Sequence, residues 1–398
     1  MSPAVILSPR DETDAAEIVR DARGSRQGLA IVGGGSRAGL GHPATVNHGL
    51  STGRLTGVTL YEPSEMIVSA RAGTPLSEID RLLAEGGQML AFEPMDHRPL
   101  FGTSGEPSIG AVAACNISGP GRIQAGAARD ALLGLRLING RAETIRSGGR
   151  VMKNVTGLDL ARLCCGAHGT LGLLTEVTFR TQPKPESSAT LVFRGLSDRR
   201  GIALLTQALG SAYRASGAAH LPAGIAASDA LTLLRVDGFA HSVVHRIACL
   251  RTVLAAFGDA DLVEGNQEAA HWRGIRDASL LAEPRARAVW RVSLKAVDVP
   301  SYVDALATDI AFAHFYDWGG GLVWIAVEDR ADGGAGPIRQ RLTPFGGHAT
   351  LVRAPQDVPP HVRRFQPLSD GEMRLSRAVK ASFDPHGILN LGRMYPGR

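Results

Sequence analysis

A run of three glycines directly after an apolar segment is the first feature of the sequence that could do chemistry. Gly33, Gly34 and Gly35 are followed by Ser36 and Arg37. Successive glycines can turn backbone N–H groups toward an anion, and a Cβ at these positions would keep the main chain away from phosphate oxygens. The run matches neither G-x-G-x-x-G nor G-x-x-x-x-G-K-[ST], so neither of those nucleotide-binding motifs is predicted. Taken alone, it fits a plain turn as well as a phosphate site.

Residues 108–120 form a second segment, in which nearly every side chain is small. Such a surface would let an extended ligand lie directly against the main chain. The alternative is a turn of buried helix that packs through alanine and glycine. Ligand contact is the favoured interpretation because a third segment supports it.

The third segment carries a recognisable pattern. Residues 148–160 read GGRVMKNVTGLDL, and residues 166–177 read GAHGTLGLLTEV. Both resemble the vanillyl-alcohol-oxidase/p-cresol-methylhydroxylase (PCMH) type FAD-binding domain and, within it, the FAD-binding subunits of bacterial glycolate oxidase. The usual pattern there is GG-x-V-M-K-N-V-A-G-Y-D-x-x-R-L, followed by G-x-x-G-T-L-G-V-L-T-E-V. The likeness runs nearly end to end, and the block around Lys153 together with the tail FDPHGILN at residues 383–390 is specific to the subunit.

The resemblance implies that FAD lies extended between two α/β subdomains. It places the diphosphate on residues 33–37 and on the second segment. It places the adenosine end near residues 169–177, where backbone groups of Val177 would hydrogen-bond the adenine. The residues that it assigns to the cofactor are Gly33, Gly34, Gly35, Ser36, Arg37, Ser108, Gly110, Ala111, Asn116, Ser118, Gly119, Gly169, Gly172, Leu173 and Val177.

The resemblance also indicates how FAD is held. Covalent members of the family carry a histidine within or just after the first glycine loop, whereas Arg37, Ala38 and Gly39 follow Ser36 here. The nearest histidine, His42, lies further along the chain. Non-covalent FAD is therefore predicted, with His42 as the residue to check.

A segment that holds a metal in related enzymes is absent from the sequence. Catalytic relatives that oxidise D-2-hydroxyacids carry a His-x-x-Gly-Asp-Gly-Asn-x-His segment, which binds a metal and supplies the base. Hydride transfer to the flavin needs some group to take the hydroxyl proton. Gly265, Asn266 and His271 have neither the spacing nor the carboxylate of that segment. No metal site is predicted, and no catalytic base is identified.

The resemblance implies partners as well. It implies a complex with a catalytic flavoprotein subunit and an iron–sulfur subunit, which oxidises glycolate, a small 2-hydroxyacid, to glyoxylate and passes electrons to a membrane acceptor. This chain would bind FAD and relay electrons or complete the assembly. Two alternatives stay open: a stand-alone FAD-dependent alcohol or hydroxyacid oxidoreductase, and a non-catalytic assembly subunit with structural FAD. The absent metal segment argues against the first, and the intact glycine loops argue against an empty flavin site.

Hydropathy and turn residues place these segments on an α+β fold. The sequence predicts strands at residues 5–7, 29–32, 61–72, 135–138, 142–146, 173–180, 191–194, 231–236, 290–294 and 322–327, and helices after Asp11, at Leu76 and near Ala378. The double proline at residues 181–185 predicts a linker. Residues 1–183 would form the PCMH-type FAD-binding domain with two subdomains. Residues 184–398 would form a smaller α+β cap domain, with an antiparallel sheet covered on one face and a tail that returns to the FAD-binding domain.

Composition narrows the classes of function. The formal net charge is +5 and the pI about 9.3, but aromatic residues make up only 5%, so a solvated mixed surface is favoured over a nucleic-acid site. No apolar run approaches the roughly 18 residues of a membrane span. Cys115, Cys164, Cys165 and Cys249 form no C-x-x-C pair, so no iron–sulfur or zinc site is predicted in this chain. A cytoplasmic protein is expected, peripheral on the inner membrane only through the complex.

Overall fold

The computed structural model describes residues 5–43, 46, 48–149, 157–328 and 330–395. The block around Lys153, at residues 150–156, lies outside the described residues. Within the described ranges, no helix is long and apolar enough to cross a membrane.

The described residues before residue 184 form ten strands and seven α-helices. The strands are β1 (Val5–Leu7), β2 (Leu29–Val32), β3 (His48–Ser51), β4 (Val58–Glu62), β5 (Ile67–Arg71), β6 (Gln88–Met89), β7 (Leu132–Ile138), β8 (Thr144–Gly148), β9 (Leu173–Arg180) and β10 (Gln182–Pro183). The helices are α1 (Glu12–Ser25), α2 (Leu76–Glu85), α3 (Arg98–Phe101), α4 (Ile109–Cys115), α5 (Arg122–Ala125), α6 (Ala128–Ala131) and α7 (Leu160–Cys164).

The first subdomain is built on a small parallel sheet in the order β1-β3-β2. Helix α1 begins at its N-cap Asp11, whose side chain accepts a hydrogen bond from the Asp14 N–H at 2.9 Å. Its apolar stripe, which includes Val19, packs on the sheet in one core with Leu389 of the tail. The Leu29 N–H donates to the carbonyl oxygen of Ile388 at 2.6 Å, so the end of the chain extends the edge of β2.

The second subdomain is a five-stranded antiparallel sheet in the order β4-β5-β9-β7-β8. The prediction of one continuous strand over residues 61–72 is wrong, because a 3₁₀ turn at Pro63–Glu65 separates β4 from β5. Proline cannot donate to a strand ladder, and Met66 takes the left-handed conformation with φ 56° that reverses the chain. The result is a hairpin in which β4 and β5 pair with each other.

The predicted linker at residues 181–185 is not a free connection. Gln182–Pro183 pairs with Gln88–Met89 as a short antiparallel ribbon. The Thr181 hydroxyl is fully buried and donates to the side-chain oxygen of Gln88 at 2.6 Å. The double proline therefore lies in a segment that is hydrogen-bonded to the first part of the chain. The boundary between residues 183 and 184 stays a prediction.

The second part of the chain contains an eight-stranded sheet in the order β14-β11-β13-β12-β16-β17-β15-β18. Its strands are β11 (Ser187–Arg194), β12 (Gly217–Leu221), β13 (Leu231–Gly238), β14 (Ala260–Glu264), β15 (Ala288–Ser293), β16 (Phe312–Asp317), β17 (Leu322–Val327) and β18 (His348–Arg353). The helices are α8 (Asp198–Leu209), α9 (Ala240–Val253), α10 (Gly265–Arg276), α11 (Val299–Ala307), α12 (Ala335–Leu342) and α13 (Asp370–Phe383). Neighbouring strands pair antiparallel throughout, which confirms the predicted α+β fold class.

Both faces of this sheet are buried, so the prediction that it is covered on one face is wrong. Side chains alternate along a strand. On β15, Trp290 and Val292 belong to the core under the helices, whereas Val289 belongs to the core shared with the FAD-binding subdomains. The sheet therefore lies between its own helices and the first part of the chain. Helix α10 covers part of the second face, where Glu268 accepts hydrogen bonds from Ser188 and Thr190.

Candidate functional site

The first glycine loop follows β2 and packs against the segment before α4. A Cβ on Gly34 would overlap the carbonyl oxygen of Glu106, and one on Gly33 would lie 2.9 Å from Ser108 Oγ. These two glycines are thus required for contact between two protein loops. Gly35 differs, because its φ is 83° and the space around its missing Cβ is open. Gly35 is therefore the glycine of this loop that is needed for its left-handed φ and not for contact with another loop.

Arg37, at the end of this loop, is buried, and no carboxylate among the described residues forms an ion pair with it. Its Nε donates to His97 Nδ1 at 3.2 Å, and one Nη donates to the carbonyl oxygen of Met95 at 3.3 Å. Its other Nη has no hydrogen-bond partner. Burial lowers the pKa of Arg37, but a guanidinium stays charged near neutral pH. A buried, uncompensated cation at this place favours an anionic ligand. Ser36 beside it is buried as well.

The second segment forms helix α4. This matches the alternative interpretation, a turn of buried helix. Gly110 is needed because a Cβ there would lie 2.5 Å from the Cβ of Ala72. Ala111 is the neighbour of Gly33 across the two loops. Ser108 precedes the helix, is 2% exposed, and its Oγ has no hydrogen-bond partner. Ser108 Oγ is thus a buried polar atom that no other described residue engages.

Other predicted residues of this segment are already engaged within the fold. Asn116 ends α4 with φ 51°, and its side-chain oxygen accepts from the Arg129 N–H at 3.0 Å. The Ser118 hydroxyl accepts from the Ala128 N–H at 2.9 Å. A Cβ on Gly119 would overlap the carbonyl oxygen of Glu93. These three residues shape the segment, and their contact with a cofactor stays a prediction.

The third segment is joined to both other segments. The His168 N–H donates to the carbonyl oxygen of Ala114 in α4 at 2.8 Å. A Cβ on Gly169, whose φ is 71°, would lie 2.8 Å from Asn390 Nδ2. Asn390 donates to the carbonyl oxygen of His168 at 2.7 Å and accepts from the Ile31 N–H at 2.7 Å. The structure therefore brings all three predicted segments together, and the tail connects the first with the third.

The predicted adenosine end lies deeper in the fold. Gly172 packs against β7, since a Cβ there would lie 2.7 Å from Leu137. Leu173 is fully buried at the start of β9. Val177 is flanked on both sides, by Ala70 of β5 and Leu135 of β7. The backbone groups of an interior strand face neighbouring strands, so this pairing gives no support to an adenine contact at Val177.

Two residues that sequence reasoning missed complete the site. Arg393 donates to the carbonyl oxygens of His42, at 3.2 Å, and Ala38, at 3.4 Å, and it forms no ion pair in the described ranges. The charges of Arg37 and Arg393 both act on the thiol of Cys115, whose pKa burial raises. The first loop, α4 and the tail therefore meet around Cys115. His97 is the other missed residue, and no motif in the sequence pointed to either one.

His42 is occupied by the protein itself. Its ring nitrogen Nε2 accepts a hydrogen bond from the backbone N–H of Arg364 at 3.3 Å. Its backbone N–H donates to the carbonyl oxygen of Arg393 at 2.9 Å. Burial, followed by the charge of Arg364, lowers the pKa of His42. This histidine therefore has a structural task in holding residues 38–42 to the tail. Among the described residues, no group of three or more His, Cys, Asp or Glu side chains is arranged to hold a metal ion.

A cavity of about 790 Å³ lies nearby but has a different character. It opens beside Gly39 and Phe101, and two of its arginines are bonded within the protein. Arg353 donates to the carbonyl oxygens of Leu100 and Ala282, and Arg287 pairs with Glu328. Residues 33–37 do not line it. The three joined segments, with unpaired Arg37 and unused Ser108 Oγ, are the better candidate site.

Comparisons with known proteins bear on the fold and the family of the chain. The FAD binding domain family matches residues 3–148. The model superposes on 4-ethylphenol oxidase from Gulosibacter chungangensis with a TM-score of 0.72, over 98% of this chain and 89% of that chain at 14% identity. It superposes on alkyldihydroxyacetonephosphate synthase with a TM-score of 0.71, over 97% of this chain and 76% of that chain at 15% identity. These likenesses show the fold.

Sequence relatives extend the comparison along the whole chain. The chain is 31% identical over 195 residues to D-2-hydroxyglutarate dehydrogenase of Xanthomonas citri pv. viticola, which is 48% of this chain and 39% of that protein. It is 34% identical over 383 residues to glycolate oxidase subunit GlcE of Escherichia coli (strain K12), which is 95% of this chain and 96% of that protein. The chain therefore belongs to the family of FAD-dependent oxidoreductase subunits that includes glycolate oxidase subunit GlcE.

Proposed function

We propose that this chain is the FAD-binding subunit of a glycolate (2-hydroxyacid) dehydrogenase complex, and that it takes part in the oxidation of glycolate to glyoxylate and in electron relay. The observation that carries the proposal is the 34% identity to glycolate oxidase subunit GlcE over 95% of the chain. The unpaired Arg37, buried beside the three joined segments, supports a bound anionic cofactor.

The residues around the three segments fit FAD in charge and in shape. Arg37 and Arg393 are deeply placed cations that form no ion pair among the described residues, and a diphosphate would neutralise them. The space around the missing Cβ of Gly35 is open, and Ser108 Oγ is a buried polar atom without a partner. A buried hydroxyl without a partner costs about 1–3 kcal/mol, which a ligand oxygen would recover.

FAD would supply a hydride acceptor, and the protein would supply its position and its surroundings. Gly35, Ser36, Arg37 and Ser108 are the residues that we propose bind the diphosphate. The Gly169 turn and Asn390 would hold the neighbouring wall in place. Burial of the site among three protein segments would exclude water from the cofactor.

We propose that FAD is bound without a covalent bond. The ring nitrogen Nε2 of His42 already accepts a hydrogen bond from the Arg364 N–H. Attachment at this nitrogen would cost that bond and leave the buried N–H of Arg364 without its acceptor. The lowered pKa of His42 agrees with a neutral, structural imidazole.

The proposed partners are a catalytic flavoprotein subunit and an iron–sulfur subunit. Two relatives are named as subunits of glycolate oxidase, and one of them, subunit GlcD of Bacillus subtilis (strain 168), is 40% identical over 77 residues, or 19% of this chain. We further propose that the complex is cytoplasmic and reaches a membrane acceptor as a peripheral assembly.

The visible spectrum of the purified chain, before and after acid precipitation, tests the cofactor. Flavin absorbance released into the supernatant is the expected result and would establish non-covalent FAD. Colour that stays with the pellet would mean a covalent flavin. A colourless chain that cannot be reconstituted with FAD would refute the proposal. Glycolate added to the FAD-loaded chain, with and without the two partner subunits, then tests the reaction.

A further inference from the structure

Two arginines from different parts of the chain pack on one tryptophan ring. Arg122 Cζ lies 4.4 Å from the centroid of Trp318, and Arg291 Cζ lies 4.8 Å from it. Arg122 follows the second glycine-rich segment, whereas Arg291 lies on β15 of the eight-stranded sheet. The indole N–H of Trp318 donates to the carbonyl oxygen of Gly119 at 3.0 Å, which fixes the ring against that segment.

The position of Arg291 on its strand points it at the FAD-binding subdomains. Residues 289 and 291 share a face, because side chains alternate along a strand. Val289 belongs to the core between the sheet and the first part of the chain. Arg291 pairs with Trp324 on one side and Thr350 on the other, and Trp324 belongs to the same core. A partly buried cation beside apolar Trp324 and Val289 requires a partner or a function.

Neither arginine forms an ion pair in the part of the chain that is described, although Asp130 lies within electrostatic reach of Arg122. Burial, followed by the neighbouring charge of Arg122, lowers the pKa of Arg291 to about 10. Asp317 is the acidic neighbour, but it is 2% exposed and its Oδ1 accepts from the Trp318 N–H at 2.7 Å. Burial raises the pKa of Asp317 to about 7, so this carboxyl carries at most part of a charge at neutral pH.

The arginine pair is connected to the first glycine loop through His97. Arg37 Nε contacts His97 Nδ1 at 3.2 Å, and the charges of Arg37 and Arg291 both add to the effect of burial in holding the pKa of His97 well below its usual value. Arg291 therefore lies within electrostatic reach of the histidine that touches the proposed FAD site. Because Arg291 packs on a ring that is hydrogen-bonded to Gly119, a ligand bound by Arg291 would lie near the second glycine-rich segment.

The backbone at Trp318 is also held in an unfavourable conformation. Its φ is 54°, a left-handed value that residues other than glycine adopt at a cost of about 1–3 kcal/mol. Asp317 Oδ1 and Gly119 maintain that conformation through hydrogen bonds to the backbone and indole N–H groups. Strain of this kind is common where a side chain is positioned for ligand contact.

We propose that Arg122 and Arg291, packed on Trp318, bind the carboxylate of the substrate in this chain. The ring covers the face of each guanidinium and leaves N–H groups at its edge for a carboxylate, which arginine binds in a bidentate manner. The identity of the acid as a 2-hydroxyacid rests on the proposed function. Binding of a small carboxylate by Arg122 and Arg291 can be measured without any change in the flavin spectrum.

Calorimetric titration of the FAD-loaded full chain with sodium oxalate tests the proposal. Oxalate is a two-carbon acid without a C–H bond to oxidise, and oxamide is its uncharged diamide. We expect oxalate to bind and oxamide to give no heat. Arg291→Gln and Arg122→Gln should each weaken oxalate binding at least about tenfold, as expected for loss of a charge-assisted hydrogen bond. Arg273→Gln, at an exposed arginine of α10, is the matched control and should bind as the wild type does.

The outcomes separate this inference from the proposed function. A chain that retains FAD but binds oxalate equally well in both variants would overturn the inference and leave the proposed function standing. If the chain contained no FAD but bound oxalate, and the variants lost that binding, the inference would stand and the proposed function would be overturned. Arg291→Lys, checked for folding by its melting temperature, keeps the charge and should recover part of the affinity. Equal binding of oxamide and oxalate would also refute the proposal, without any substitution.

Discussion

The side-chain oxygen of Asn390 accepts a hydrogen bond from the backbone N–H of Ile31 at 2.7 Å, although 359 positions separate the two residues. The same side chain donates to the carbonyl oxygen of His168 at 2.7 Å. One residue of the tail thus holds the strand that leads into the first glycine loop against the turn of the third segment. This strand and this turn both border the proposed FAD site, so the tail belongs to the frame of the site.

Asn390→Ala should therefore weaken both the fold and the retention of FAD. The substitution leaves the Ile31 N–H and the His168 carbonyl group without partners, at a cost of about 1–3 kcal/mol in the free energy of unfolding. Urea unfolding and the ratio of flavin to protein absorbance measure the two effects. Leu391→Ala, at the partly exposed neighbour, is the control and should change neither by much.

Local pattern was sufficient for many elements of the fold. Strands β9 and β17 have the predicted bounds and helix α2 begins at the predicted residue, because each is an uninterrupted apolar or amphipathic run between turn residues. The exact path of residues 61–72 was not predictable from alternation, since the 3₁₀ turn at Pro63–Glu65 interrupts a pattern that otherwise continues. The hydrogen-bonded segment at residues 181–185 was missed because Gln88 and Thr181 are distant in sequence.

The sequence predicted which segments form the site but not which charged residues lie around it. Glycine runs and the resemblance indicated residues 33–37, 108–120 and 166–177, which the structure brings together. His97, Arg393 and Arg291 carry no local signal, because their roles depend on which loop or sheet face meets them. The sequence also suggested that all three glycines of the first loop face a ligand, whereas Gly33 and Gly34 pack against protein.

Arg37→Gln should reduce the affinity for FAD. The substitution removes a buried positive charge that has no protein carboxylate to balance it. We expect the dissociation constant for FAD to rise about 10- to 100-fold, as for loss of a charge-assisted contact. Titration of the deflavinated chain with FAD, followed by flavin fluorescence, measures it. Arg20→Gln on the exposed side of α1 should have no effect, and unchanged affinity in Arg37→Gln would place the diphosphate elsewhere.

Gly34→Ala should be strongly destabilising. The added Cβ would overlap the carbonyl oxygen of Glu106, so the first loop must move away from the segment before α4. We expect a loss of at least about 2 kcal/mol in the free energy of unfolding. Gly24→Ala is the matched control, because nothing lies within 4 Å of its Cβ position and alanine favours the helix. Equal melting temperatures for the two variants would contradict the packing argument.

The buried imidazole of His168 should make stability depend on pH. Burial, and then the charge of Arg393, lowers its pKa from 6.5 to about 3. Between these values the unfolded chain binds a proton that the folded chain does not, so the free energy of unfolding falls as pH decreases. The full contribution is present above pH 6.5, and the limiting slope is about 1.4 kcal/mol per pH unit.

His168→Asn should flatten this dependence. Urea unfolding of the FAD-free chain at neutral pH and near about pH 5 gives the slope for the variant and for the wild type. His386→Asn, at an exposed histidine of the tail, is the control and should retain the wild-type slope. An unchanged slope in His168→Asn would mean that other groups dominate the acid side of the stability curve.

A buried ion pair holds the last helix to the third segment. Lys380 Nζ donates to Asp384 Oδ2 at 2.6 Å, to the carbonyl oxygen of Thr170 at 2.6 Å and to that of Leu389 at 2.8 Å. Asp384 in turn accepts from the N–H groups of Ile388 and Leu389. The pair therefore positions both the turn before β9 and the residues that lead to Asn390.

Lys380→Met should destabilise the protein more than Lys380→Met combined with Asp384→Asn. The single variant leaves a buried carboxylate without its cation, at a cost of about 3–5 kcal/mol, whereas the double variant removes the charge that needs compensation. We expect FAD retention to follow stability, because the Asn390 bridge depends on the same turn. Lys184→Met, at an exposed lysine, is the control. If the double variant were as unstable as the single one, the hydrogen bonds of Asp384 to the tail would outweigh its charge.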